Sequence, residues 1–269
     1  YGLVRLSHGA TESSGLAVLY AGNEPVAASA GAGTATGEGW ESVTAAGIRV
    51  AVVEPLQAWT VTYKGQSGEL DLRFEACSAP AVLDEGMAVA HAGGMQGYEQ
   101  LCRVTGTATF GGRTQKVRCL GQRGQLWGQP DWSRIELART VSAWLGEDRA
   151  LTLTAVRPTK SKGHFDELLS GFVFDGGEPV PVADLRLSTT YDGERRQRRA
   201  GLELWMDEDG DREREYALRA AGDVLCGTSL DLGEQRLESA FFQWRMEGRT
   251  GVGRYDVLRR TTPAGGRRR

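Results

Sequence analysis

Apolar and polar residues alternate with period two along most of the 269-residue chain. The clearest run is Glu69-Leu70-Asp71-Leu72-Arg73-Phe74-Glu75, where Leu70, Leu72 and Phe74 face one way and the charges the other. That is the pattern of an antiparallel strand with one buried face. Residues 59–63 form its hairpin partner across the Gly65-Gln66-Ser67-Gly68 turn. Residues 47–53 come before them and stop short of Pro55, which cannot donate to a ladder. Residues 2–6 and 16–20 make another hairpin. The strongest hairpin signal is 102–110, then Gly111-Gly112, then 114–120, because paired glycines supply the positive φ of a two-residue turn.

Residues 135–145 fit two patterns. Leu137, Val141 and Trp144 sit at helical spacing, while Ile135, Leu137, Val141 and Leu145 fit period two with a gap. The Gly146-Glu147-Asp148 turn into the plain strand 150–156 favours a hairpin. One helical turn is expected at 165–169, and strands follow at 171–174, 185–190, 202–206, 215–220, 239–246 and 253–259. Turn signals about every 8–12 residues are the rhythm of a sandwich or barrel. Two stretches break it. Residues 27–39, rich in Ala, Gly and Thr, read as loop or weak strand, and residues 80–97, with Gly86, Gly93, Gly94 and Gly97, read as a linker. The boundaries that follow are an N-terminal β domain at 1–97, a C-terminal one at 98–262 and a polar tail at 263–269. Many strands and almost no helix predict an all-β protein of closed or nearly closed barrels, which remove exposed edges and enclose a cavity.

Composition narrows the function. Hydrophobic residues make up 40% and charged residues 25%, enough for a sizeable core. Arg clusters at 195–199 and 267–269 lie near an acidic run at 207–211, and these neutralise locally, so no basic face for nucleic acid is expected. The acidic run Asp207-Glu208-Asp209-Gly210-Asp211 lacks the bidentate Glu and flanking helices of a calcium loop and reads as a solvated hairpin tip. No apolar run is long enough to span a bilayer, and no signal peptide is visible. A cytoplasmic protein is the expectation, although the chain begins at Tyr1 and not Met, which leaves room for a missing N-terminal piece. Cys77, Cys102, Cys119 and Cys226 are irregularly spaced, and His8, His91 and His164 are scattered, so no metal is expected. The cysteines read as reduced, with Cys102 and Cys119 acting as small hydrophobes on their strands. No G-x-S-x-G elbow, P-loop or dinucleotide fingerprint stands in a suitable context.

The most informative stretch is 120–132, which places Trp127 and Trp132 beside Arg123, Asp131 and three glycines. Loops that carry rigid aromatics beside a cation and an anion on a β scaffold are where sites are usually built. The competing account is that both indoles plug a barrel end while Arg123 pairs with Asp131 to hold the turn. Gly121, Arg123, Trp127, Gly128, Asp131 and Trp132 stand at the positions of a G-x-R-x-H-x-W-G-x-x-D-W signature. On these residues the chain resembles the carotenoid hydratase (hydroxyneurosporene synthase-like) and AttH-like superfamily, which includes lipocalin-like Diels–Alderases. Tyr98-Glu99-Gln100 also matches a family position that often reads Y-E-Q. The departure is Gln125, where the family usually carries His.

The resemblance implies two lipocalin-like antiparallel β-barrel domains that take a hydrophobic small molecule without a cofactor. Trp127, Trp132 and Tyr98 would shape the pocket, with Trp59, Trp205 and Trp244 behind them and equally suited to core packing. Glu99, Gln100, Arg123, Gln125 and Asp131 are the polar candidates. A carboxylate in an apolar pocket can become a general acid, although Glu99 can equally be a strand-end group paired with Arg103 or Arg123. Gln125 cannot titrate but can orient a carbonyl by hydrogen bonding. The expectation is therefore a cofactor-independent cyclase, of pericyclase or Diels–Alderase type, acting on a polyketide or terpenoid intermediate. The alternatives are a non-catalytic carrier of an apolar ligand, or an alkene hydratase whose acid is Glu99 or Asp131.

Overall fold

The computed structural model describes residues 1–9, 12–37, 39–161, 166–206 and 217–261. His164, the acidic run 207–211 and the tail 263–269 lie outside them. Among the described residues strand accounts for 74% and helix for 4%, so the all-β expectation holds.

Ten strands make the first sheet: β1 (Gly2–His8), β2 (Ser13–Ala21), β3 (Glu24–Ala35), β4 (Val43–Ala45), β5 (Ile48–Glu54), β6 (Ala58–Gly65), β7 (Gly68–Ala76), β8 (Ala81–Leu83), β9 (Met95–Phe110) and β10 (Arg113–Gly128). Their order is β1 through β7, then β9 and β10, with β8 beside β9. This sheet curls but stays open. The other eight strands are β11 (Ile135–Trp144), β12 (Arg149–Pro158), β13 (Leu168–Asp175), β14 (Glu178–Tyr191), β15 (Gln197–Met206), β16 (Leu218–Asp231), β17 (Gln235–Met246) and β18 (Arg249–Arg260). They close into a barrel in which β11 pairs with β18. By compactness the chain forms two units, one of residues 1–77 and 101–123, the other of residues 78–100 and 124–269. Each of β9 and β10 thus contributes residues to both.

The elements form where alternation is plain and also where it is not. β6 and β7 pair from Ala58↔Glu75 to Gly65↔Gly68, as their pattern demands. The weak stretch 27–39 is strand over most of its length: β3 pairs with β2 from Ala21↔Glu24 to Ser13↔Gly33. Its small side chains carry little pattern, but the ladder still satisfies its backbone. The supposed linker 80–97 holds β8 and a short helix α1 (Ala88–Gly93). Met87, Val89 and Ala92 pack there against Ile135 and Val156, which is why the segment is ordered as part of the second unit. Residues 135–144 are strand. Of the helical turn expected at 165–169, Phe165 lies outside the described residues, while Leu168 and Leu169 already pair with Val156 and Ala155. β16 runs on to Asp231, through an Ala221-Gly222 stretch without alternation. Cys119 is exposed and is not the packed hydrophobe expected.

The barrel core is made by inward-facing residues of all eight strands, including Val141, Leu153, Leu202, Phe242, Trp244 and Tyr255. Phe242 stacks on Trp244 at 5.6 Å between ring centroids and tilts against Tyr255 at 5.5 Å. Each such side chain contributes about 1.5–3 kcal/mol by burial. The open sheet has its own smaller cluster around Leu19, Ile48, Tyr63 and Leu70.

Barrel closure depends on a close approach of β18 to β11. A Cβ on Gly253 would sit 1.8 Å from the Ser142 carbonyl oxygen, which is backbone and cannot swing away. Gly253→Ala is therefore expected to lower unfolding free energy by about 2–4 kcal/mol, as overpacking against backbone does. Gly248→Ala, at a turn position with φ 75 and open space, should cost only about 1 kcal/mol. Urea unfolding of the two variants checks this, and equal midpoints would refute it.

Candidate functional site

The signature stretch is largely strand, not loop: β10 continues to Gly128, and only the residues after it turn. Period two places Arg123, Gln125 and Trp127 in one phase and Gly124 and Leu126 in the other. The strand ends at Gly128, whose φ of 142 is open to glycine but strained for other residues.

Three of the candidate residues meet in the second unit. The Tyr98 hydroxyl on β9 donates to Gln125 Oε1 on β10 in a long hydrogen bond of 3.4 Å. The Tyr98 and Trp127 rings lie 6.4 Å apart, tilted by 59°. Trp127 is 48% exposed, so an incoming apolar molecule can reach its face. Glu99 reaches across Gly124: a Cβ there would meet its carboxylate carbon at 2.8 Å. Glycine at 124 is what lets this carboxylate lie against the strand.

The others are placed elsewhere. Arg123 belongs to the first unit, its guanidinium 4.0 Å from the centroid of the buried Trp59 ring. Burial pushes the guanidinium down to about 10, still charged at neutral pH. Gly121 in the same unit is buried, and a Cβ on it would meet Val104 Cγ2 at 2.8 Å. Gln100 is buried, and its amide donates to the Ser78 carbonyl at 3.0 Å. Asp131 is exposed. Hydrogen bonds from the Ser133 hydroxyl at 2.6 Å and the Ser133 N–H at 2.9 Å hold its carboxyl below the usual range. Trp132 is half-buried against the α1 and β12 side chains. Of the remaining indoles, Trp244 lies in the barrel core.

A polar group inside the barrel was not foreseen. Arg139 and Glu167 are buried and paired: Arg139 Nε donates to Glu167 Oε1 at 2.7 Å, and Nη2 meets Oε2. Arg139 Nη1 donates to Thr189 Oγ1 at 3.2 Å and to the Tyr255 hydroxyl at 3.1 Å. Burial pushes the Tyr255 phenol up to about 12. One signal could have found it. Arg139 falls in phase with Leu137, Val141 and Ala143, the buried positions of β11. Among the described residues, no three His, Cys, Asp or Glu side chains converge as a metal site.

An open curled sheet and a closed eight-stranded barrel, with aromatic and amide groups gathered on β9 and β10, define an all-β protein of the AttH-like fold. The chain belongs to the family described as domain of unknown function DUF7064, whose model matches residues 1–261. Among solved structures it is similar to kievitone hydratase from Nectria haematococca, with 12% identity, TM-score 0.56, and coverage of 96% of this chain and 87% of that one. It is also similar to an AttH-like protein from Nitrosomonas europaea, with 10% identity, TM-score 0.57, and coverage of 95% and 90%. CghA matches with 12% identity and TM-score 0.56, over 96% of this chain and 74% of its own. At these identities the likeness is one of fold. Comparison with curated proteins returns no match.

The cation–π contact predicts a stability effect specific to Arg. Arg123→Gln should destabilise the protein by about 1–2 kcal/mol through loss of the guanidinium face on Trp59. Arg123→Lys should recover less than half of that, because an ammonium does not stack as a planar group does. Equal stability of all three proteins in urea would remove this role.

Proposed function

We propose that this chain is a cofactor-independent enzyme that holds an apolar substrate, of polyketide or terpenoid type, in a folded conformer and cyclises it. The observation that carries the reading is the gathering of Tyr98, Gln125 and Trp127 on paired strands. Two aromatic faces give an extended polyene a surface to fold against, and a preorganised conformer removes much of the entropic part of the barrier. With Gln125 Oε1 turned to the Tyr98 phenol, the donor end of the amide is the end that can polarise a substrate carbonyl. Gln125 and Trp127 carry no proton to give or take in this range, which suits orientation better than proton transfer. The Asp131 carboxylate, bonded to Ser133 and held ionised, is a poor acid.

A second reading, alkene hydration, is favoured by Glu99, whose carboxylate lies against β10 beside Gln125. There Glu99 would protonate the alkene and water would capture the cation. Resemblance to the hydratase superfamily supports it, and so does the likeness in fold to a structure named as a hydratase.

Assay of linear polyene ketones in heavy-oxygen water separates the two. Cyclisation gives a product isomeric with substrate and free of solvent oxygen, whereas hydration incorporates it. The cyclase reading expects a rate nearly flat between about pH 6 and pH 8. It also expects a loss of about 10–1000-fold in Gln125→Ala, the scale of one preorganised donor. Asp131→Asn should retain activity, because the Asn oxygen accepts the same two bonds from Ser133. Solvent oxygen in the product, with a rate falling as pH rises and an inert Glu99→Gln, would instead establish hydration.

A further inference from the structure

We infer that the substrate lies across the strands, with its carbonyl at Gln125 and the far end of its apolar chain on Val82, so that Val82 selects for chain length. Val82 extends the face proposed above as the enzymatic site, and its role rests on that reading.

Strand register sets the row. Val82 on β8 pairs with Tyr98 on β9. On the other side of β9, Gly97 lies against Leu126 and Gly124 against Glu99, which sets Tyr98 opposite Gln125 on β10. Residues directly opposite one another in antiparallel strands project to the same face. Gln125, Tyr98 and Val82 therefore form one line over three neighbouring strands, with the Trp127 ring beside that of Tyr98. Two steps of about 4.8 Å between strands put Val82 roughly 10 Å from Gln125. All four residues belong to the second unit.

Val82 stands where the alternation of β8 calls for a polar side chain. Ala81 is buried, and Leu83 packs with Val89, Ile135 and Val156. These two fix the strand by its other face and leave Val82 forward and 46% exposed. A lone exposed valine is ordinary, but one joined to Tyr98 and Trp127 makes a continuous apolar surface. Solvent reaches both Val82 and Trp127, so there is room over the row without moving any packed side chain. The neighbouring positions on β9 offer no such surface. Gln96, two residues before Tyr98, donates to Glu85 at 3.4 Å, and Gln100, two residues after it, is buried on the Ser78 carbonyl. A chain that leaves Gln125 over the Tyr98 ring thus stays on apolar surface by continuing to Val82. Only a chain long enough to cover that valine gains from removing it from water.

The experiment titrates the whole chain with hexan-2-one, whose chain ends short of Val82, and with decan-2-one, which spans the row, and follows tryptophan emission. Trp127→Phe should abolish the emission change, which ties the signal to this face. Val82→Ser should weaken decan-2-one by about tenfold and hexan-2-one by less than about twofold, because only the longer chain covers residue 82. Val82→Ile should bind decan-2-one at least as tightly as wild type. If circular dichroism shows that Val82→Ser does not fold, Val82→Thr keeps the β-branched shape and should weaken decan-2-one selectively. A wild type that binds neither ketone, or a folded Val82→Ser that weakens both alike or neither, would overturn the inference. The proposed reaction is judged separately. Isomeric product from polyene ketones without any selective effect of Val82→Ser would remove the role of Val82 alone. Polyene ketones bound with that selectivity but left unconverted would remove the cyclase alone and keep Val82 in its place.

Discussion

The β9–β10 hairpin is the constraint on which the rest depends. Its strands are each 16 residues long, against a usual strand of about 5–6. Over that length they serve two cores. Gly121 and Arg123 face the packing of the first unit, around Val104 and Trp59. A residue or two further on, Gly124, Gln125 and Trp127 work with Tyr98 and Glu99 in the second. Because side chains alternate strictly, a slip of one residue would send Arg123, Gln125 and Trp127 to the opposite face together. The spacing of the signature is therefore a statement about register.

Two buried or half-buried guanidinium groups show different solutions to the same cost. Arg123 keeps its charge over an aromatic face, an interaction of about 0.5–2 kcal/mol that leaves the strand geometry free. Arg139 is buried and is held by a full carboxylate and two hydroxyls. Removing one partner of such a pair costs about 3–5 kcal/mol, far more than the pair adds to stability. Arg123 is thus a packing residue that happens to be charged, whereas Arg139 is a charge that the barrel wall was built to hold.

Strands with one wet face and one dry face were legible in the sequence, because burial itself writes the alternation, as in residues 69–75. Strands made of small residues were not: β3 and the middle of β16 use Ala and Gly, whose burial leaves no contrast. The region 80–97 looked like a linker because its glycines are conspicuous, while the packing of Met87 and Val89 on β11 and β12 is tertiary information. In the site, the pairing of Tyr98 with Gln125 and Trp127 could be expected only from the superfamily signature, since 27 residues separate the hydrogen-bonded pair. The place of Asp131 was available locally. Asp131-Trp132-Ser133 is an Asx turn, in which the carboxylate accepts from the backbone two residues on.

Set against the signature that the chain resembles, Gln125 at the His position and the engagement of Asp131 with Ser133 form one coherent difference. A histidine used as a proton relay wants a carboxylate to fix its tautomer and stabilise its charged form. Gln125 develops no charge, so it has no use for an anionic partner. In the proposed function it needs a neutral group that fixes which end of the amide would face a substrate, and the Tyr98 phenol, donating to Oε1, is placed to do that. Asp131, relieved of any relay, is free to build the turn that carries β10 into β11. Each group thus has a partner that suits its own chemistry, which is what the proposed orientation mechanism requires of them.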